Sequence, residues 1–379
     1  MATRLAVGRW WRLREPGIGG HQAAAGWLFL APVIVILGVF LLVPIAMAAW
    51  VSVSDWNGNG SPFGPNAHFI GLQNYRHLLT TPGLDQNNFG TSIRNNVYYV
   101  ALVVPIQTAV ALFLAVLVNR RVKGVGFFRT AFYFPSVTSS VAITVLFLFL
   151  FSPTGVINKL LSYLGATGPA WLYDPRGLFH VILGQFGVHE SGSLANQFFL
   201  GVSYWDWLAG PSIAMCVFII MAVFTTSGTF MLIFLAGLQQ IDDSVNEAAA
   251  LDGATEWKKF RHITVPMIRP VLFTVVTLGL IGTWQVFDQI YVGTKGSPLN
   301  TTLTPAFLSF NASFNGNEWG IGAAIAFILF AIIVFFTMAA RFLTRNPDRV
   351  PRRRRFGPTQ GPGDPDGSRV ASASPGSAP

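Results

Sequence analysis

The chain has 379 residues, of which 52% are hydrophobic and 11% charged, and its formal net charge is +9. Soluble domains carry about 25% charged residues, so a composition this apolar excludes an ordinary soluble fold and makes lipid the expected solvent. One cysteine, Cys216, excludes an intrachain disulfide framework and a Cys-based zinc cluster, and its place in an apolar run reads as a small core residue.

About 20 apolar residues cross a hydrocarbon core of roughly 30 Å. Six runs meet that length: 26–50, 97–118, 131–151, 211–235, 271–291 and 320–340. The expected fold class is therefore all-α, a polytopic membrane protein with six transmembrane helices. The first run follows basic residues, as a signal peptide would, but it is longer than the roughly 7–15 apolar residues of a signal core. The fourth is the most polar, with Thr225, Thr226, Ser227 and Thr229 together. The fifth follows Pro266 and Pro270, residues suited to a first helical turn because the N–H they lack would be unpaired there.

Charge placement predicts orientation. Arg4, Arg9, Arg12 and Arg14 precede the first run. Arg120, Arg121, Lys123 and Arg129 lie between the second and third, and Lys258, Lys259, Arg261 and Arg269 between the fourth and fifth. Eight arginines follow the sixth, which puts 20 basic residues on one side and five on the other. The positive-inside rule assigns both termini to the cytoplasm of a cell (inner, cytoplasmic) membrane. The same segregation explains the basic charge without nucleic acid; Arg352 to Arg355 read as a topology lock or a contact with anionic membrane lipid.

The domain reading is a basic cytoplasmic N-terminus over 1–25, a membrane domain over 26–343 and a tail over 344–379. The tail's Pro, Gly, Ser and Arg content predicts disorder. The opposite loops, 51–96, 152–210 and 292–319, are long and carry turn residues and interfacial aromatics such as Trp205 and Trp207. Their length suggests a docking surface, or simply elaborated loops.

The segment 241–266 is unlike a plain connector. Ser244 and Glu247 have capping-box spacing, Glu247 to Leu251 are strong helix formers, and Gly253 suits a left-handed C-cap. Trp257, Phe260 and Ile263 then recur at intervals of three beside Lys258, Lys259 and Arg261. A helix, a glycine break and an amphipathic helix follow. Physics leaves two readings open: a knob for a cytoplasmic protein, with Ala248, Ala249 and Ala250 allowing close approach, or a helix lying on lipid.

These residues carry a resemblance. Glu247-Ala248-Ala249, Gly253, Ile263 and Pro266 resemble the EAA signature of binding-protein-dependent ABC import permeases. Stretches 69–75 (FIGLQNY), 128–132 (FRTAF), 234–239 (FLAGLQ) and 285–288 (QVFD) resemble its sugar-permease branch, and the likeness covers about 27–343. The chain looks most like the first member of the maltose-, trehalose- and glycerol-phosphate-type permease pairs. It departs at Val265, where the signature usually has Leu, and at 294–298, where a Gly-Gly-Gly-Pro turn is usual. The stretch 177–207 is also longer than the family's.

The resemblance implies a type I ABC importer permease fold. It implies that 244–252 is the coupling helix seated in a separate ATPase, with Glu247, Ala248, Ala249 and Asp252 on the contact, Gly253 allowing the bend and Pro266 starting the return. Implied partners are a second homologous permease, two ATPase subunits holding ATP and Mg, and an extracytoplasmic solute-binding protein. The chain itself would bind no cofactor and hydrolyse nothing. In accord, no Gly-x-x-x-x-Gly-Lys-Ser/Thr, His-Glu-x-x-His or Gly-x-Ser-x-Gly occurs, so no catalytic or metal set is legible.

For the solute, Asp288 is the clearest candidate, because an ionisable group at a span's centre costs roughly 2.5–3.5 kcal/mol. It falls toward the outer end of the fifth run, where a solvated carboxylate with no substrate role is the equal alternative. Gln285, three residues earlier, is expected on the same face, with Trp284 and Tyr291 adjacent to it. Such a set suits sugars, whose hydroxyls take amides and carboxylates and whose C–H faces take rings. For Gln107 and Thr225 to Thr229, helix–helix hydrogen bonding is the favoured reading. A self-contained secondary transporter is the alternative function; it needs buried ion-coupling carboxylates, and Asp288 alone is available.

Overall fold

The computed structural model describes residues 21–119, 124–187 and 195–343. Residues 1–20 of the basic N-terminal stretch, and all of the 344–379 tail, lie outside the described residues. Among these residues, five helices are long and apolar enough to cross a membrane, and one bent pair makes a sixth. The architecture is helical apart from a small hairpin, Phe198–Phe199 against Val202–Ser203, paired Phe198 to Ser203 and Phe199 to Val202.

Span one is Ala25–Ser52, and nothing in its most apolar stretch is buried by the rest of the chain. A π turn at Gly38–Leu42 precedes Pro44, whose ring cannot donate to the carbonyl one turn back. Its last residues are fastened by the FIGLQNY stretch. Asn74 Nδ2 donates to the Ser52 and Ser54 carbonyls at 3.0 and 2.9 Å, and the Tyr75 hydroxyl donates to Ser52 Oγ at 2.8 Å.

Span two is Leu84–Asn119. At 36 residues it is about 54 Å long and outruns the bilayer. Its start lies 13 residues before the expected 97, because Asp85 to Asn96 are polar and helical at once, and hydropathy does not register polar helix.

Span three is not the single rod expected over 131–151. Val125–Val137 and Ser140–Leu150 meet at 95°. Pro135 removes one helical N–H, and Thr138 and Ser139 take extended backbone between the two pieces. Span four, Ile213–Leu238, is unbroken and the most buried of the six. The Ser212 hydroxyl caps it by accepting from the Met215 N–H at 3.0 Å. One core joins its Met231, Phe234, Leu235 and Leu238 to Ala111, Ala115 and Val118 of span two. At Gly228 span three approaches so closely that a Cβ would overlap the Phe132 carbonyl oxygen.

Span five, Arg269–Gly293, is interrupted: Arg269–Trp284 ends, and Asp288–Gly293 begins a new helix. Span six is Trp319–Leu343. The link between spans four and five forms an elbow, and its end of the bundle is here the elbow end. The hairpin lies at the opposite, far end, within a detour whose base is closed. Gly177 and Ser212 form an antiparallel bridge, the Leu178 N–H donates to the Pro211 carbonyl at 2.9 Å, and the Ile213 N–H donates to the Arg176 carbonyl at 3.1 Å.

Candidate functional site

The elbow is built from local codes. Its first helix is Asp243–Leu251. Asp242 is the cap, accepting from the Ser244 N–H at 2.9 Å, so the expected Ser244–Glu247 capping box does not form. Asp242 sits one residue outside the helix with extended backbone, where a carboxylate can reach the free N–H groups; Ser244 is already inside. That N–H holds the Asp242 carboxyl below the usual carboxylate range, so the cap persists at neutral pH and is lost as acid protonates it.

The helix ends as expected at Gly253, with φ of +72°. The Gly253 N–H donates to the Ala250 carbonyl and the Ala254 N–H to the Ala249 carbonyl, the paired bonds of a Schellman ending. Ala249 alone of this helix is buried, while Glu247, Ala248 and Asp252 are exposed and Leu251 is 91% exposed. Among the described residues nothing covers this leucine. Thr255 caps the next turn, Glu256–Lys259, and Trp257 stacks on Phe260 at 5.7 Å. Pro266 lies in the short turn Val265–Met267, and Ile268, 1% exposed, anchors the chain before span five.

The break in span five separates the solute candidates. Trp284 closes the first helix, Asp288 opens the second, and Gln285 to Phe287 are unwound. Backbone freed at membrane depth must find other partners. Asn96 Nδ2 donates to the Trp284 carbonyl at 3.1 Å, and the Thr304 hydroxyl donates to the Val286 carbonyl at 3.1 Å. Both side chains are fully buried.

Gln285 and Asp288 therefore do not share a helical face. Trp284 is buried and stacked on Phe336 of span six at 5.5 Å. Asp288 is exposed in the first turn of its helix, a favourable place for a carboxylate. Tyr291 stacks one face on Phe287 at 5.4 Å. Gln285 lines an apolar cavity of about 690 Å³ between spans five and six, with Ser309, Leu329 and Thr337.

The structure instead gathers hydroxyls. A cavity of about 300 Å³ lies at the bend of span three, lined by Ser136, Thr138, Ser140, Thr225, Thr229 and Gln289. Ser136 Oγ donates to the Thr225 carbonyl at 2.6 Å and accepts from the Thr229 N–H at 3.1 Å. The Thr226 hydroxyl donates to Gln107 Oε1 at 2.7 Å, the interhelical bond favoured for this pair. Sequence reasoning missed Ser136, Ser140 and Gln289. The signal was a run of hydroxyls around Pro135 inside an apolar stretch.

Comparison with known proteins agrees with this arrangement. Residues 107–349 match the family described as binding-protein-dependent transport system inner membrane component. The lactose transport system permease protein LacF of Rhizobium radiobacter is 31% identical over 325 residues, 84% of this chain and 94% of the relative. The trehalose/maltose transport system permease protein MalF of Thermococcus litoralis is 30% identical over 318 residues, 84% of this chain and 92% of the relative. Among solved structures, a chain of a bacterial alginate ABC transporter in complex with an alginate pentasaccharide-bound periplasmic protein shares the fold, with TM-score 0.65 and 19% identity over 86% of this chain and 95% of that one. The chain is thus a member of the binding-protein-dependent ABC importer permeases, with their type I membrane fold.

Proposed function

We propose that the chain forms half of the translocation pathway for a sugar or related polar solute and is driven by a separate ATPase through its elbow. The supporting observation is the elbow itself. Asp243–Leu251 is capped at both ends, lies in the link between spans four and five, and presents an outer face that nothing among the described residues covers. Burying exposed Leu251 and the small face of Ala248 in a partner's groove would let a rigid displacement there reach spans four and five.

Two ATPase subunits would hold ATP and Mg, a homologous permease would complete the pathway, and a solute-binding protein would deliver the solute at the far end. The elbow end would face the cytoplasm, with both termini, as the basic residues suggest. The cavity at the bend of span three, where Ser140, Thr229 and Gln289 stand among apolar Ile143, Met221 and Phe230, carries no fixed charge and suits a neutral, hydroxyl-rich solute. The sugar names of LacF and MalF point the same way.

The test is uptake by the reconstituted transporter. Gly253→Pro removes the N–H given to Ala250 and cannot adopt the left-handed backbone; Glu247→Lys reverses a charge on the exposed face. Each is expected to abolish solute-stimulated transport while the chain still inserts. Undiminished uptake by both variants would remove the elbow from the mechanism.

A further inference from the structure

A cavity of about 420 Å³ opens at the far end, between the first turns of span two and the detour that leaves at Gly177. Its floor holds Arg94, which is 9% exposed. Val118, at the elbow end of the same helix, is 24 residues on, about 36 Å away along the axis. The cavity is therefore remote from the elbow, and it lies two residues along span two from Asn96, which holds the break in span five.

Arg94 is poorly satisfied. A guanidinium carries five donors. One Nη gives a long 3.4 Å bond to the Asp206 carbonyl, the other a 3.0 Å bond to Asn95 Oδ1, and Nε is buried with no partner. Among the described residues no carboxylate lies within ion-pair distance of it. The other charged groups around the cavity are accounted for. Arg176 is paired with Asp174 at 2.6 Å, and Asp206 turns its carboxylate to the Ser203 hydroxyl at 2.7 Å. His180 is stacked on Trp205, with Nε2 at 3.1 Å from the Trp205 carbonyl. Asp206 acts on Arg94 through space but offers it only a backbone carbonyl, so the guanidinium fork is left unmatched, and the ligand that best fits it is a carboxylate.

The mouth of the cavity identifies the source of that carboxylate. Phe198 and Leu299 line it and are 65% and 82% exposed. A buried charged centre edged by large bare apolar side chains is the pattern of a protein-docking anchor rather than of a site for a free ion.

We infer that this cavity receives an acidic side chain of the solute-binding protein, with Arg94 as the anchoring cation and Phe198 and Leu299 as the surrounding apolar contact. The inference rests on the function proposed above and extends it to the site of docking. Asp206, on the same wall, opposes the incoming charge and sets how tightly the partner is held.

The two charges give opposite predictions, which makes the test sharp. The complete transporter is reconstituted in nanodiscs and titrated with its own solute-loaded binding protein, and the half-stimulating concentration for ATP hydrolysis is read. Arg94→Gln is expected to raise that concentration by at least about tenfold, since it removes one partner of a desolvated charge pair. Asp206→Asn is expected to lower it, and added salt to raise it more in the parent than in Arg94→Gln. If both substitutions raise it, Arg94 serves Asp206 and the local fold, and the inference fails. If neither moves it, docking lies elsewhere. A parent transporter that no binding protein stimulates would sink the proposed function itself, a distinct result.

Discussion

Spans four and five differ far more in structure than in composition. Both are about 25 residues of mostly aliphatic sequence. Span four runs unbroken and meets its neighbours through large apolar side chains such as Met231 and Phe234, with a close approach at Gly228. Span five stops for three residues at membrane depth, and side chains from two other elements hold the loose carbonyls. Hydropathy measures the free energy of leaving water; it is silent on whether the helix continues. Continuity is decided by who satisfies the backbone, and in span five that is settled by residues 96 and 304.

Substitutions in span four, and in span five or at its supports, should therefore fail differently. The largest effect is expected from Gly228→Leu, which forces span three off span four. Overpacking costs about 1–3 kcal/mol or more, and loss of folded, monodisperse protein in detergent is the outcome to measure; a normally stable variant would show that the close approach is dispensable. Asn96→Leu is expected next. It leaves the Trp284 carbonyl unpaired at about 1–3 kcal/mol, lowering thermal stability and blunting solute-stimulated ATP hydrolysis, because the unwound segment loses its hold. Equal stability of parent and variant would mean that the break is self-supporting. The smallest effect on stability is expected from Asp288→Ala, an exposed carboxylate. Should the pathway pass it, solute-stimulated hydrolysis falls more than basal hydrolysis; matched changes in both would mark it as a solvated end of the span.

What the sequence made legible follows the same division. The elbow's ending at Gly253 is a local matter, decided within six residues, and it reads directly. Its beginning does not: Asp242 and Ser244 are both good caps two residues apart, and the carboxylate placed outside the helix wins. The early start of span two is hidden because Asp85 to Asn96 are helical without being apolar. Grouping Trp284 with Gln285 and Asp288 presupposes an unbroken helix, and Trp284 is turned into the core once the helix stops. No Gly or Pro marks residues 285–287, so only the long-range partners could have announced the break. At the bend of span three the clue was present in Pro135 and the hydroxyls beside it, and the apolar run on either side outweighed it.

The bridge between Gly177 and Ser212 has a consequence for how such a chain can change over time. The polypeptide departs and returns at one doorway, so anything hung there can be enlarged, trimmed or swapped without re-threading a single helix through lipid.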